Sequence, residues 1–70
     1  MWEIMIHNGS EMVDHGVIKA SNIRQLINEL SNKLSMTDLV YEKDNSVRAT
    51  TYQITSKSNL NFYMVATKYN

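Results

Sequence analysis

Both histidines and three of the seven acidic side chains lie in the first fifteen positions. Two acids and both histidines there are of the kind that binds metal ions: Glu3, His7, Asp14 and His15. A serine, an acid and a histidine are also the types of a nucleophilic triad: Ser10, Asp14 and His15. The predicted hairpin places His7 and His15 on opposite faces, and adjacent strand residues such as Asp14 and His15 point apart. We therefore predict no catalytic residue, no metal site and no cofactor.

The pattern around these residues predicts a β-hairpin. Residues 2–7 alternate with period two, as in a half-buried strand, and Asn8-Gly9 is a strong two-residue turn signal. A turn there pairs Ile4 with Val13. The expected inner face holds six residues: Trp2, Ile4, Ile6, Val13, His15 and Val17. Gly16 is a candidate for a bulge or for the end of pairing.

One amphipathic helix is predicted over residues 21–35, with Ser21 as its N-cap. Five apolar residues follow helical spacing: Ile23, Leu26, Ile27, Leu30 and Leu34. We expect this stripe to pack on a sheet as core, since a chain this short needs it for its own interior. A helix that binds a partner through the same stripe is the alternative.

The remaining chain predicts a three-stranded meander over residues 39–43, 47–55 and 60–69. Asp44-Asn45 and residues 56–59 are the expected turns. The predicted fold is an α+β single domain over residues 1–70. Its order is β-β-α-β-β-β, with one helix packed on one face of an antiparallel sheet.

Pairing through those two turns sorts the meander into two faces. The face expected to contact the helix holds eight residues: Val40, Val47, Ala49, Thr51, Leu60, Phe62, Met64 and Ala66. The opposite face collects all four tyrosines, and Tyr and Arg are enriched at the centres of protein interfaces. The predicted partner-binding residues are Tyr41, Arg48, Tyr52, Tyr63, Val65 and Tyr69. The alternative is that strands favour tyrosine and the rings merely cover the sheet in solvent.

Composition argues against disulfide-stabilised, polyanion-binding and membrane-spanning proteins. The chain has 70 residues, no cysteine, and seven basic and seven acidic side chains. It therefore has no disulfide, and its neutral charge argues against a general polyanion binder. No apolar run is long enough to span a membrane. We expect a cytoplasmic protein without membrane association. Its excess of residues with A/T-rich codons favours a low-GC bacterium or a phage.

These observations predict a small non-enzymatic protein-interaction module. One concrete version is a phage or mobile-element accessory protein that binds a host protein. We expect it to form a homodimer through the tyrosine face, because small domains without covalent staples gain stability by association. Stacking of single-stranded nucleic acid on the same face is the alternative. An enzyme subunit is a third, but no residues stand out as catalytic.

Overall fold

The computed structural model describes residues 1–69 and contains five strands and one helix. The elements are β1 (Trp2–Asn8), β2 (Glu11–Ile18), α1 (Ile23–Leu34), β3 (Leu39–Lys43), β4 (Thr51–Ser56) and β5 (Phe62–Lys68). All five strands join one antiparallel sheet in the order β2-β1-β5-β4-β3. The predicted order of elements and fold class are confirmed.

The N-cap of the helix lies one residue after the predicted Ser21. Asn22 is the N-cap, because its side-chain oxygen accepts the Gln25 N–H at 2.9 Å. The Gln25 side chain in turn accepts the N–H of Ser21, the residue before the N-cap, in an arrangement related to a capping box. At the other end Ser35 adopts a left-handed conformation and its N–H bonds the Ser31 carbonyl. At 12 residues, α1 is too short to cross a membrane, and it is the single helix within residues 1–69.

The core lies between α1 and one face of the sheet. Its buried side chains come from the helix and three strands: Trp2, Ile4, Leu26, Leu30, Ile54, Met64 and Ala66. The other stripe residues Ile23, Ile27 and Leu34 pack around this cluster, as predicted. The sheet thus has one covered face, and its other face has no helix of residues 1–69 upon it.

The first hairpin differs from its predicted register. The turn is Gly9-Ser10, with Gly9 at a φ of 64°, and Asn8 pairs with Glu11. The register then shifts between Ile6 and His7, which leaves Val13 as an extra residue in β2. This bulge, which does not fall at Gly16, reverses the faces beyond it. Placement of His15 and Val17 on the Trp2 face was therefore wrong, because they pair with Met5 and Glu3 on the opposite face. Val13, which was expected to pair with Ile4, has no partner in β1.

The meander also has longer connections than predicted. Asp44 starts a loop through residue 50, and its carboxylate accepts hydrogen bonds from the N–H and hydroxyl of Ser46. Tyr41 consequently pairs with Ile54 instead of Arg48. Relative to the prediction, the pairing register of β3 and β4 is shifted by an even number of residues. The side chains of the two strands therefore keep their predicted relative faces.

The second connection reverses the faces of β5. Asp38 accepts hydrogen bonds from Ser56 and Ser58, and Thr55 pairs with Tyr63 instead of Leu60. The three-residue slip is odd, so it turns every β5 side chain to the opposite face relative to β4. As a result Tyr41, Tyr52 and Ile54 share the helix-covered face with Phe62, Met64 and Ala66. Val40 and Thr51, expected there, lie on the other side.

Candidate functional site

The side of the sheet away from α1 is the candidate site, and we call it the open face. Its strand residues form three rows across the sheet, given by the cross-strand pairs. The rows are Val17-Glu3-Thr67-Thr51, His15-Met5-Val65-Gln53-Glu42 and Met12-His7-Tyr63-Thr55-Val40. Tyr69 follows β5 and reaches the first row, where its hydroxyl donates to Glu3.

The open face carries an apolar patch. Met5 and Val65 are directly paired at its centre and half-buried. On β2, which pairs with the strand of Met5, Met12 and Val17 keep 52% and 58% of their surface exposed. Val40, which is 39% exposed, lies on β3, separated from Val65 by β4. Apolar side chains that are joined across a sheet and accessible to solvent mark a candidate protein contact.

Glu3 organises one end of this face. Its Oε1 accepts the Tyr69 hydroxyl at 3.1 Å, and its Oε2 lies 3.1 Å from His15 Nε2. His15 is exposed, so this contact is a surface pair of modest worth. The hydrogen bond to Glu3, reinforced by the carboxylate's charge, raises the pKa of the Tyr69 phenol. The network fixes three side chains at the rim without providing a nucleophile.

We expect Tyr69 to ionise at a higher pH in the wild type than in Glu3→Gln, because the substitution removes the carboxylate that raises its pKa. A raised folded pKa means that this contact stabilises the protein below about pH 10 and stops doing so as pH rises through the raised value. Absorbance at 295 nm during alkaline titration measures the four phenols. Tyr69→Phe is the control that assigns the Tyr69 contribution to the titration curve. Identical curves for the wild type and Glu3→Gln would contradict the contact.

His7 and Tyr63 form a stacked pair in the third row. Their ring centroids are 4.5 Å apart and the planes differ by 2°. Within residues 1–69, His7 Nδ1 is buried and has no hydrogen-bond partner. The histidines share a face, contrary to the sequence prediction, but His15 contacts Glu3 whereas His7 stacks on Tyr63. In the part of the chain that the structure describes, no three His, Asp or Glu side chains are placed to hold a metal ion.

The charges of the open face are acidic. Glu3 and Glu42 occupy its rows, and no Lys or Arg within the described residues takes a strand position there. Lys43 and Lys68 belong to β3 and β5 but point to the helix side by register. The apolar patch thus lies between two carboxylates.

The structure divides the six residues of the predicted tyrosine face, so their placement on one face was wrong. Tyr63 and Val65 lie on the open face, and Tyr69 contacts its rim. Tyr41 and Tyr52 lie on the helix side, where Tyr52 contacts both Tyr41 and Trp2, with ring centroids 5.8 and 5.9 Å apart. Arg48 is exposed in the loop between β3 and β4. Whether any of the six binds a partner stays a prediction.

Sequence reasoning missed Met5, Met12 and Val17 as members of the candidate site. The alternation of β1 already placed Met5 opposite Trp2 and Ile4, and this was the available signal. Met12 and Val17 needed the turn and the bulge, which the pattern alone does not position.

Comparison with known proteins adds no functional information. No protein-family model, curated protein or solved structure matches the chain. The function has to be inferred from the open face itself.

Proposed function

We propose that this protein is a small non-catalytic protein-interaction module that binds its partner through the open face. The observation that carries the proposal is the apolar patch around Met5 and Val65 on the side of the sheet that α1 leaves uncovered. Buried centres of interfaces are apolar, with a polar rim. Glu3, Gln53 and Glu42 supply such a rim here.

The size of the open face fits a protein contact. The two longest dimensions of the protein are 31 and 25 Å, whereas the third is 19 Å, as for one helix stacked on a sheet. These dimensions limit any one face to roughly the 800 Å² that each partner contributes to a standard interface. A small-molecule site would instead require a concave pocket.

The charge pattern favours one kind of partner over another. A second copy stacked face to face would bring the carboxylates Glu3 and Glu42 of both copies into one interface, and like charges there are unfavourable. A different protein with an apolar patch flanked by Lys or Arg is complementary to this face. We therefore favour a foreign protein over the face-to-face homodimer expected from the sequence. The same acids, and the division of the tyrosines, weaken support for the nucleic-acid alternative.

The expected setting follows from composition. The excess of residues with A/T-rich codons and the lack of cysteine support the cytoplasm of a low-GC bacterium or of a phage-infected cell. A host protein is the partner that we expect there.

Site-specific photo-crosslinking in a lysate of the source cell tests the proposal. A benzophenone side chain at Val65 should crosslink one protein, and the same group at Asn28, on the exposed side of α1, should not. Adding Glu42→Lys should weaken the Val65 crosslink at least tenfold, because it removes a complementary charge. Equal crosslinking from positions 65 and 28 would overturn the proposal, as would a Val65 crosslink to nucleic acid.

A further inference from the structure

The two edges of the sheet differ in how they present their backbone. The Asp44 N–H donates to the Thr51 carbonyl at 2.8 Å, which makes their pair a hydrogen-bonded one. Hydrogen-bonded and non-bonded pairs alternate along an antiparallel ladder. Val40 and Glu42 therefore bond β4. Their neighbours have backbone groups that point outward from the edge: Leu39, Tyr41 and Lys43.

The β2 edge is obstructed in two ways. The Tyr69 N–H donates a hydrogen bond to the Met1 carbonyl. Because bonded pairs alternate, the backbone groups of odd-numbered β1 residues form hydrogen bonds with β5, and those of even-numbered residues form them with β2. His15 therefore directs its N–H outward, but the Asp14 carboxylate accepts it at 2.8 Å. The bulge at Val13 also bends this edge. Bulges and locally capped edges protect against strand pairing, and within residues 1–69 no side chain caps the β3 edge in this way.

We infer that β3 pairs with β3 of a second copy, antiparallel and centred on Tyr41. In this register Tyr41 faces its own counterpart, Leu39 faces Lys43, and Val40 faces Glu42. Shifting the two-fold centre by one residue either way sets Glu42 against Glu42 or against Asp38. The centred register opposes no like charges within Leu39–Lys43. Its one like-charged pair, Asp38 against Asp44, lies outside the strand, where both carboxylates accept serine hydrogen bonds in their own loops.

The side chains at this edge suit a symmetric contact. Tyr41 and Val40 are 44% and 39% exposed, on opposite faces of β3, so pairing covers apolar surface on both sides. Lys43 is a residue type that discourages promiscuous edge pairing, but opposite Leu39 its stem packs while its ammonium stays in solvent. The chain's neutral charge adds no net repulsion between copies.

Single-cysteine crosslinking tests the inference, and the absence of natural cysteine makes it clean. The centred register brings the two Tyr41 Cα atoms to about 5.5 Å, within disulfide range. Tyr41→Cys should form a covalent dimer at least tenfold faster than His15→Cys, the matched position on the β2 edge. Equal rates would overturn the inference.

A proline variant tests the unmodified surface. Lys43→Pro removes an outward N–H and leaves the ladder to β4 intact, since proline is tolerated where the N–H faces solvent. By light scattering at about 200 µM the wild type should contain dimer and Lys43→Pro should be monomeric, with unchanged circular dichroism. A monomeric wild type, or a Lys43→Pro dimer, would overturn the inference. Loss of the dimer in Val65→Glu would overturn it too, since that result assigns self-association to the open face. Crosslinking of a foreign partner from Val65 is a separate measurement. The β3 pairing and the proposed function of the open face can therefore fail independently.

Discussion

Trp2→Ala is expected to remove a large part of the protein's free energy of unfolding at 25 °C. The indole is 1% exposed and contacts Tyr52, and Lys68 lies over its ring. Its Nε1–H also donates to the Ala20 carbonyl at 3.1 Å, which ties the segment before α1 to the core. Truncating a buried tryptophan costs about 3–5 kcal/mol. A domain of this length has a free energy of unfolding of only about 4–10 kcal/mol.

Urea denaturation followed by circular dichroism measures this loss. Trp2→Phe is the matched control, because it keeps an aromatic ring in the core and removes the hydrogen bond to Ala20. The control should lose less than half as much stability. A Trp2→Ala protein within about 1 kcal/mol of the wild type would contradict the central role of this side chain.

Leu30→Ala is expected to destabilise the protein by about 3–5 kcal/mol, in the upper part of the usual range for a buried leucine. Leu30 is 1% exposed and lines a partly open pocket of about 50 Å³ between α1 and the first hairpin, together with Ile4, Ile6 and Leu34. Truncation would enlarge this pocket into the core. The cost of a cavity grows with the volume that remains after the surrounding side chains relax. Around an underpacked site few neighbouring atoms can move in to fill the space, so the remaining volume is large.

Leu60→Ala provides the same chemical change at a side chain that is 92% exposed. Its free energy of unfolding should remain within about 0.5 kcal/mol of the wild type. Thermal or urea unfolding of the two variants side by side measures the difference. Similar losses from both would show that burial of the stripe on α1 does not hold the fold together.

The periodic elements of this fold were predictable because the local spacing of apolar side chains indicates each of them. The stripe on α1 gave the helix and its buried side, and the run Leu39–Lys43 gave β3 with both its ends. The alternation of β1 separated Trp2 and Ile4 from Met5. Such patterns reflect the burial of one face, and the structure obeys the same constraint.

The faces of the later strands were not predictable. They depend on whether the number of residues by which a connection shifts the strand register is odd or even. Ser56 and Ser58 bind Asp38, which is 18 and 20 residues distant, and this contact belongs to the loop that lengthens the last connection. No local signal reports a bond of that range. One odd slip was enough to separate Tyr63 and Tyr69 from Tyr41 and Tyr52, and with them the predicted site.

The strictly antiparallel sheet has a consequence for how many partners one assembly holds. Two copies joined at β3 are related by a two-fold axis perpendicular to the sheet, because directly paired residues such as Tyr41 and its counterpart point to the same side. Both helices then lie on one side and both open faces on the other. The assembly is bivalent. A partner that displays two sites at matching spacing would be held with an avidity about 10²–10⁴ times the affinity of one face, without any new contact.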